Sequence, residues 1–346
     1  MTMDIADYLT PCRRPEPLLA PSGKPGSYNS HGVDCPFVFR HRGRFFMLHI
    51  GFDGAGYQTA LAVSDDLLHW SHYANILGRD DGGRWDSGNA AGVWMILKDS
   101  RLEGVPELRR IDGRYWLLYH SYPGAGYEQG AAEMSFATCR DEELLHWERL
   151  PKPVFSWRNG AAWERGGLYK GAVVEWNSRY YMLYNAKDRT EWPWLEQTGI
   201  AVSDDLLHWE RPLGEPVLKV RPGEWDSTFV SDPYPVQDRG RWLDFFFGHG
   251  PDNASEGLAW SDDLLHWERH PEPILRHGAP GSHDEIHAHK ACVFRHEGVL
   301  YHFYCGVRRI RPGDAVAALG HHEFRAIYVA TDSGRPEGPA SQAARK

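Results

Sequence analysis

The sequence predicts an all-β fold, a five-bladed β-propeller with four-stranded blades, and three observations carry this prediction. The phrase Ser-Asp-Asp-Leu-Leu-His-Trp occurs at 64–70, 203–209 and 261–267, and a looser copy lies at 141–147. An apolar hairpin precedes each copy, and a Pro-flanked strand follows most of them. Repetition of this kind is typical of repeat architectures, and four-stranded repeats arranged around a channel form propellers.

The hairpins are predicted from short aromatic and β-branched runs that are broken by turn residues. Asp112-Gly113, Asn177-Ser178 and Arg239-Gly240 are the predicted turns of three of them, because such pairs favour tight two-residue connections. The five predicted hairpins span 36–50, 107–120, 171–186, 233–248 and 291–306. A third strand then leads into each Ser-Asp turn, and the Pro-flanked segment supplies the fourth.

The repeated phrase itself is interpreted as structural. Serine and aspartate bind nearby backbone groups and make turns, whereas leucine and tryptophan supply bulk that packs between blades. A frayed fifth copy, Ala330–Ser333, lacks the Leu-Leu-His-Trp part. Because a residue present in every blade is a poor candidate for catalysis, the active site is sought elsewhere.

The two ends of the chain complete the predicted architecture. Pro15–Leu19 repeats the pattern of the outer strand at Pro271–Leu275, so the N-terminal strand is predicted to close the last blade. Closure leaves less exposed sheet edge. The propeller is predicted to be a single catalytic domain over 15–332, with a lead-in at 1–14 and a disordered tail at 333–346.

Composition narrows the classes of partner and compartment. The 346 residues carry a net charge of −9, from 38 basic and 47 acidic side chains, which argues against nucleic acid as a partner. The five cysteines include no CxxC pair, so free thiols in a reducing compartment are expected. The acidic start has no apolar signal core, and no run is long enough to span a membrane. A cytoplasmic protein without a cofactor is therefore expected.

One column of ionisable residues stands out when the five repeats are aligned on their hairpins. The innermost strands are predicted to begin at Asp34, Glu107, Lys170, Asp232 and Lys290. Such positions line the channel of a propeller at one mouth, so these charges are expected to converge there. The alternative is a structural charge network that plugs the channel.

A second column lies six residues earlier, where an acid follows a tryptophan in most repeats. Its predicted members, possible substrate contacts at the rim, are Trp85, Asp86, Trp163, Glu164, Trp225, Asp226 and Asp284. The alternative is a turn-forming acid beside a packing tryptophan. Paired carboxylates suit glycoside cleavage, since one protonates the leaving oxygen while the other attacks or activates water. Crowding of carboxylates raises the pKa of at least one of them.

Histidines and two insertions complete the list of candidates. His31 lies near Asp34, and alternation in 283–289 directs His287 and His289 to one side, with Glu285 between His283 and His287. Two histidines are too few for a metal site, so no metal is predicted, and they are expected to bind sugar hydroxyls or to act as an acid. The insertions are Lys98–Val105, a predicted loop, and Lys187–Gln197, whose Glu-Trp-Pro-Trp is either a sugar-stacking rim or a packing lid.

These repeated phrases and hairpins, over about 15–332, resemble those of the five-bladed propeller glycoside hydrolases, the group of families 43, 32, 68, 117 and 130. The resemblance implies the propeller fold and glycosidase activity. Asp34 matches the Asp base of family 43, and Val105-Pro106-Glu107 is similar to its second, pKa-tuning site. Lys170 stands where the family places its acid, which leaves that role to Glu164 or to a residue of blade four or five.

Three functions are compatible with these residues. The first is a glycosidase in which Asp34 is base or nucleophile, Glu107 and Asp232 are acid and pKa modulator in either order, and Lys170 and Lys290 bind substrate. The second is a phosphorylase of the family 130 kind, in which the lysines hold phosphate. The third is a sugar-binding propeller without catalysis. In each case the expected partner is a carbohydrate.

Overall fold

The computed structural model describes residues 3–80 and 82–333, and almost all of their regular structure is β-strand. The helical elements in these residues are short 3-10 turns at Ile5–Tyr8, Trp157–Asn159, Ala162–Glu164 and Ala317–Leu319. The predicted all-β fold class is confirmed. Apart from its first residue, the predicted tail at 333–346 lies outside the described residues.

The strands follow one another along the chain, with short turns within most hairpins and longer segments between units. The strands of the first half are β1 (Cys12–Arg13), β2 (Gly32–His41), β3 (Arg44–Phe52), β4 (Tyr57–Ser64), β5 (Ser71–Leu77), β6 (Ala91–Met95), β7 (Tyr115–Ser121), β8 (Glu133–Cys139) and β9 (Trp147–Arg149). Those of the second half are β10 (Gly167–Trp176), β11 (Arg179–Lys187), β12 (Glu196–Ser203), β13 (Phe229–Asp238), β14 (Arg241–Gly250), β15 (Asn253–Ser261), β16 (Glu268–Arg269), β17 (His287–His296), β18 (Val299–Arg309) and β19 (Glu323–Thr331).

These strands form five consecutive antiparallel units. Unit one is the sheet β2-β3-β4-β5, and unit two is the sheet β6-β7-β8-β9. The remaining strands form one larger sheet, in which unit three (β10–β12), unit four (β13–β16) and unit five (β17–β19 with β1) are antiparallel within themselves. Single parallel pairs join these three units, Glu196 with Phe229 and Ala254 with His287. The first strands of units one to three are buried almost throughout, as expected for strands covered on both faces.

The two-residue turns explain why the hairpins have this register. Both central residues have positive φ in the turns at Arg42–Gly43, Asp112–Gly113, Asn177–Ser178, Arg239–Gly240 and Glu297–Gly298. Turns of this type match the right-handed twist of the strands that they join. The three turns predicted from the sequence are therefore confirmed.

The repeated phrase forms the same hydrogen-bonded turn in its three full copies, so its structural interpretation is confirmed. In the first copy the Ser64 hydroxyl accepts the backbone N–H of Leu67, and the Asp66 carboxylate accepts those of Leu68 and His69. Leu67 is buried with φ of 67°, and the Trp70 indole donates to its carbonyl. The same bonds recur at 203–209 and 261–267.

Unit two departs from the prediction. The prediction that its first strand begins at Glu107 is wrong, because the strand that pairs with β7 is β6, Ala91–Met95. Glu107 instead forms an isolated bridge with Arg40, at the end of β2 that lies far from Asp34. The Asp112-Gly113 turn directs the chain into β7, but the strand before it is not the first strand of the unit.

The predicted loop at Lys98–Val105 crosses the ends of first strands from other units. The backbone N–H of Leu102 donates to the Gln237 carbonyl at 2.9 Å, and that of Gly104 donates to the Arg295 carbonyl at 2.8 Å. Just after this loop, the Arg40 N–H donates to the Pro106 carbonyl at 2.7 Å. The segment therefore ties β2, β13 and β17 together at the ends remote from Asp34.

The N-terminal segment pairs with the last strand. Strand β1 is antiparallel to β19, with Cys12 opposite Thr331, and Leu19 forms a further bridge with Ile327. The regular part of this pairing begins within the predicted lead-in at 1–14 rather than at Pro15. Residues near both ends of the described chain thus belong to unit five.

Asp244 is a carboxylic acid in the core of unit four. It lies in the middle strand β14 at the position that methionine occupies in units one and three, Met47 and Met182. Its side chain is fully buried, and neither carboxyl oxygen has a hydrogen-bond partner among the described residues. Burial raises the pKa of Asp244 to about 7, so it is protonated in acid and becomes a buried charge in base.

We expect Asp244→Asn to flatten the pH dependence of stability. Between the unfolded pKa near 4 and the folded pKa near 7, the folded wild type binds a proton that the unfolded chain releases. Its stability therefore falls as pH rises through this range, by about 3–4 kcal/mol at most. Urea unfolding at pH 5 and pH 8 measures the difference.

The matched control is Asp262→Asn, an exposed aspartate of the same unit that pairs with Arg241. This control variant should show the same pH dependence of stability as the wild type. An unchanged slope in Asp244→Asn would show that Asp244 does not titrate in the folded protein over this range.

Candidate active site

A β-bulge recurs at the start of four first strands and aims polar side chains to one place. In β2, β10, β13 and β17 the pairing with the next strand shifts after Asp34, Tyr169, Ser231 and His289. The residue directly after each of these four has positive φ: Cys35 (54°), Lys170 (47°), Asp232 (52°) and Lys290 (66°). Bulges re-aim side chains and are common beside active sites.

The bulges correct the predicted column of ionisable residues. Lys170, Asp232 and Lys290 occupy one equivalent position, as expected, but Cys35 holds that position in unit one and Asp34 precedes it by one residue. Left-handed backbone at residues other than glycine costs about 1–3 kcal/mol each and persists where the surroundings impose it. Four such residues together mark this end of the first strands as a candidate site.

Asp34, Asp232 and Lys290 are brought together, and we call them, with Lys170 and Arg325, the first-strand cluster. The Lys290 ammonium lies 3.1 Å from an Asp232 oxygen and 3.7 Å from an Asp34 oxygen. Arg325 of β19 donates to the same Asp34 oxygen at 3.0 Å. Burial opposes ionisation of Asp34, but Lys290 and Arg325 outweigh it and hold the pKa of this carboxyl below its usual range.

Lys170 completes the cluster from unit three. It is 4% exposed, and its backbone N–H donates to Nδ1 of His120. Among residues 3–80 and 82–333, no carboxylate lies within ion-pair distance of its ammonium. One cation of the cluster is thus left without an anionic partner.

A second group, which the sequence did not single out, lies beside the first; we call Glu128, Lys187 and Glu196 the Lys187 cluster. The Lys187 ammonium is ion-paired with Glu128 and lies 3.9 Å from a Glu196 oxygen. It also lies 4.4 Å from the ring centre of Trp194 and 5.1 Å from that of Tyr169. An ammonium among aromatic faces and carboxylates is well stabilised despite burial.

Glu196 also connects this cluster to the first-strand cluster. It accepts hydrogen bonds from the Trp194 indole at 2.8 Å and from the Ser231 hydroxyl at 3.1 Å. Ser231 precedes Asp232 in β13. The two clusters therefore meet where unit three adjoins unit four.

The two carboxyl groups around Lys187 differ in protonation. Burial opposes ionisation of Glu128, but Lys187 and then Lys290 outweigh it and lower the pKa of Glu128. Burial dominates at Glu196, and with the nearby negative charge of Glu128 it raises the pKa of Glu196. The ionised form is thus favoured at Glu128 and the protonated form at Glu196, and such a separation of two pKa values suits general acid–base chemistry.

The sequence patterns pointed to segments close to these residues but not to the residues themselves. Glu196 lies in the predicted insertion Lys187–Gln197, and Glu128 lies in a loop that contains Gly124, Gly126 and Gly130. Neither residue belongs to a repeated position, so alignment of the repeats could not find them. The usable signal was an acidic residue in each of two segments that interrupt the repeat, the glycine-containing loop and the insertion at Lys187–Gln197.

Glu107 does not join either cluster. Its carboxylate pairs with Lys98 at 2.6 Å, and its side chain is 48% exposed. Because it lies by Arg40 at the far end of β2, the structure separates it from Asp34 by the length of that strand.

The second predicted column lies within the units instead. Its four acids are buried, and each pairs with an arginine that follows the third strand of its unit or, in unit five, lies in β1: Asp86 with Arg149 (3.6 Å), Glu164 with Arg211 (2.7 Å), Asp226 with Arg269 (2.8 Å) and Asp284 with Arg13 (2.6 Å). The preceding tryptophans stack on an aromatic ring of the middle strand: Trp85 on Tyr119, Trp163 on Tyr184 and Trp225 on Phe246. We call these contacts the arginine clasps, and they match the packing alternative for this column.

The predicted histidines lie around Arg325. His289 Nε2 accepts from the Arg325 guanidinium at 3.1 Å, and the His287 ring centre lies 5.5 Å from that of His289. His31 lines a small cavity of about 10 Å³ together with Asp34 and Arg325. Glu285, in contrast, accepts the backbone N–H groups of Gly281 and Arg309 and so stabilises a local turn.

The ligand atoms of Asp34, His289 and Cys305 lie within 4.8 Å of one another, as in a metal site. The Arg325 guanidinium donates to both Asp34 and His289. Since a cation already uses these acceptors, the donor set does not fit a metal ion.

Comparison with known proteins identifies the family. Residues 106–286, just over half of the chain, match the family model described as the Glycosyl hydrolases family 32 N-terminal domain. The chain belongs to this glycosyl hydrolase family. The predicted resemblance to the propeller glycoside hydrolases is thereby confirmed.

Solved structures and a curated relative extend this glycosyl hydrolase assignment. The chain is 30% identical to a structure described as a complex of BT0996 and RGII, with TM-score 0.81 and 96% of each sequence covered. A structure described as a glycoside hydrolase is 28% identical, with TM-score 0.79 and 98% of each sequence covered. A 1,2-beta-oligomannan phosphorylase of Thermoanaerobacter sp. (strain X514) is 29% identical over 169 residues, which are 48% of this chain and 51% of that protein. The chain thus spans about half the length of this relative.

Within residues 3–80 and 82–333, every helix is too short to cross a membrane.

We expect Arg211→Met to destabilise the protein without changing the activity of the folded fraction. It would leave Glu164, fully buried, with only the Tyr184 hydroxyl and a backbone N–H as partners. Loss of one partner of a buried ion pair costs about 3–5 kcal/mol. Arg179→Met, which breaks an exposed pair with Asp204 in the same unit, should cost less than about 1 kcal/mol in the same urea titration. Equal losses in the two variants would contradict the clasp.

Proposed function

We propose that the five units are the blades of a β-propeller, forming one catalytic domain over 15–332 whose channel opens at the first-strand cluster. The pairing of β1 with β19 and the bond between Asp34 of unit one and Arg325 of unit five support closure of the ring. The segment that ties β2, β13 and β17 together supports a channel closed at its other end.

In this propeller we infer hydrolysis of a glycosidic bond at the Lys187 cluster. The observation that carries the proposal is the pair of carboxyl groups around Lys187, Glu128 half-buried and Glu196 buried, whose pKa values shift in opposite directions. Glu196, protonated, donates its proton to the leaving oxygen. Glu128, ionised, attacks the anomeric carbon or takes a proton from the attacking water, the two roles open to a second carboxylate.

The first-strand cluster then binds the sugar whose bond is cleaved. Asp34 and Asp232 offer carboxylate oxygens to hydroxyl groups, and the Lys290 ammonium pairs with both of them. Charge-assisted hydrogen bonds of this kind are about twice as strong as neutral ones, so they fix the ring in place. Asp34 is also the alternative base or nucleophile, in the role that the family 43 resemblance implies.

Phosphorolysis is the second candidate, and two observations favour it. The curated relative is a phosphorylase, and the Lys170 ammonium has no carboxylate partner in the described part of the chain. Phosphate beside Lys170 would itself attack the anomeric carbon, so that Glu196 alone would suffice as acid. A propeller that binds sugar without turnover is the remaining outcome of the assays that follow.

We expect Glu196→Gln and Glu128→Gln each to lower kcat by about 10²–10⁴-fold on natural oligosaccharides, because each removes one half of the acid–base pair. Glu196→Gln should retain far more activity on dinitrophenyl glycosides, whose leaving groups need no proton. Added azide should rescue Glu128→Gln if Glu128 is a nucleophile. Glu215→Gln, which alters an exposed pair with Lys219, is the control and should keep wild-type activity in both assays.

The same assays, run with and without inorganic phosphate, separate the candidates. Turnover without phosphate supports hydrolysis, and turnover that requires phosphate supports phosphorolysis. Loss of activity in Asp34→Asn with Glu128→Gln unaffected would transfer the second role to Asp34. Sugar-dependent thermal stabilisation with no turnover on any glycoside would indicate the binding propeller.

The pH profile of kcat provides an independent check. Activity requires Glu128 ionised and Glu196 protonated, so the rate should fall as pH drops below the lowered pKa of Glu128 and as pH rises above the raised pKa of Glu196. The basic limb should disappear for dinitrophenyl glycosides in Glu196→Gln. A basic limb that persists there would assign it to another group.

A further inference from the structure

A row of rings leads from solvent towards the first-strand cluster, and we call Trp192, Phe229, His249 and His287 the ring wall. The Trp192 and Phe229 ring centres are 6.3 Å apart, those of Phe229 and His249 are 5.0 Å apart, and those of His249 and His287 are 5.7 Å apart. Trp192 is 62% exposed, the highest exposure among the large apolar side chains of the described residues. A side chain so exposed contributes little to the core.

The ring wall also adjoins the proposed acid. Trp194 stacks against Phe229 with an angle of 9° between the rings, and its ring centre lies 5.1 Å from that of Trp192. The Trp194 indole donates to Glu196 at 2.8 Å. A sugar chain that extends from the Glu196 carboxyl in this direction therefore contacts the ring wall next.

The ring wall carries no charge near neutral pH. Burial, followed by the positive charge of Arg325, lowers the pKa of His287 to about 3, and burial also lowers the pKa of His249. Both imidazoles are therefore neutral. This surface differs in kind from the two ionic clusters beside it, so it suits a neutral ligand.

Two polar atoms of the ring wall are available to that ligand. His249 Nδ1 is buried, with no hydrogen-bond partner among the described residues. His287 Nδ1 accepts the backbone N–H of Ala254 at 3.1 Å, so the proton of its neutral ring is on Nε2, which is a donor. Flat apolar faces with a few hydrogen-bonding atoms match a sugar, which presents a C–H face and a rim of hydroxyl groups.

We infer that the ring wall is the binding site for a second, neutral sugar residue on the leaving side of the cleaved bond. The inference rests on the proposed function and makes the substrate an oligosaccharide of at least two residues. The first residue lies at the ionic first-strand cluster, and the next stacks on Phe229 and Trp192. A glycoside with a small leaving group would use only the first of these surfaces.

The test measures affinity against oligosaccharide length for wild type and Trp192→Ala, each in the Glu196→Gln background to prevent turnover. The probes are manno-, gluco-, xylo- and arabino-oligosaccharides of one to four residues, measured by calorimetry and tryptophan fluorescence. Trp176→Ala is the matched control, because Trp176 is a partly exposed tryptophan at the opposite end of the same unit. Since Trp192 is exposed, its replacement should leave thermal unfolding unchanged.

We expect affinity to rise from one residue to two for at least one sugar series. Trp192→Ala should lower the affinity for oligosaccharides of two or more residues about three- to tenfold, as expected for loss of one stacking contact. It should leave the affinity for the monosaccharide unchanged. His249→Phe, which keeps a ring but removes the polar atom, should also weaken binding of the longer oligosaccharides only. Trp176→Ala should change nothing.

Three results would overturn the inference: equal losses for monosaccharide and oligosaccharide, no loss in Trp192→Ala, or an equal loss in Trp176→Ala. Absence of any series that gains affinity from the second residue would overturn it as well. Failure of the proposed function gives a different pattern. If Glu196→Gln retained wild-type turnover, the acid assignment would fall, while a length dependence sensitive to Trp192 would still support the ring wall.

Discussion

Charges that are buried must be neutralised where they lie, and this constraint organises the candidate active site. Transfer of an ion from water to the interior costs several kcal/mol even after relaxation, so each ionised group needs a close partner. Asp34 is neutralised by Lys290 and Arg325, Asp232 by Lys290, and Glu128 by Lys187. In most of these pairs the partners come from different units, so the charges that equip the site also fix the units relative to one another.

The same constraint separates two sets of acids that look alike in sequence. The acids that follow a tryptophan, such as Glu164 and Asp226, each receive an arginine from their own unit and are used up in the arginine clasps. Those arginines are visible in the chain as the third residue of the Trp-Glu-Arg phrases at 147–149, 209–211 and 267–269. The acids near the bulges share their cationic partners with other acids. Some of their oxygens and protons therefore remain available to a substrate.

Much of the fold could be predicted because its determinants are local and repeated. The turn of the Ser-Asp-Asp-Leu-Leu-His-Trp phrase and the Asn-Ser and Asp-Gly hairpin turns depend on residues that are close in sequence, and they recur. Unit two was misaligned because its first strand is short and is separated from β7 by the long segment 96–114. The position of Asp34 was one residue out of register because, in unit one, Cys35 rather than the neighbouring ionisable residue takes the positive-φ position of the bulge, and the sequence alone does not show this.

The active site was harder to predict, for a physical reason. Glu128 lies in a loop and Glu196 begins β12 at the end of an insertion, and only the folded chain brings both to Lys187. The lowered pKa of Glu128 arises from Lys187 and Lys290, and the raised pKa of Glu196 arises from burial and from Glu128, which no spacing of residues in the sequence encodes. Repetition specifies the scaffold, and departures from repetition carry the chemistry.

The segment at 98–106 has a consequence for traffic through the proposed propeller. By hydrogen bonding to the ends of β2, β13 and β17, it would make the channel of that propeller a pocket with a single opening. A polysaccharide could not be threaded through such a pocket, so only the terminus of a glycan would reach its floor. The released sugar would leave by the same opening before the next terminus entered. The proposed enzyme would therefore shorten its substrate from one end, one residue at each encounter.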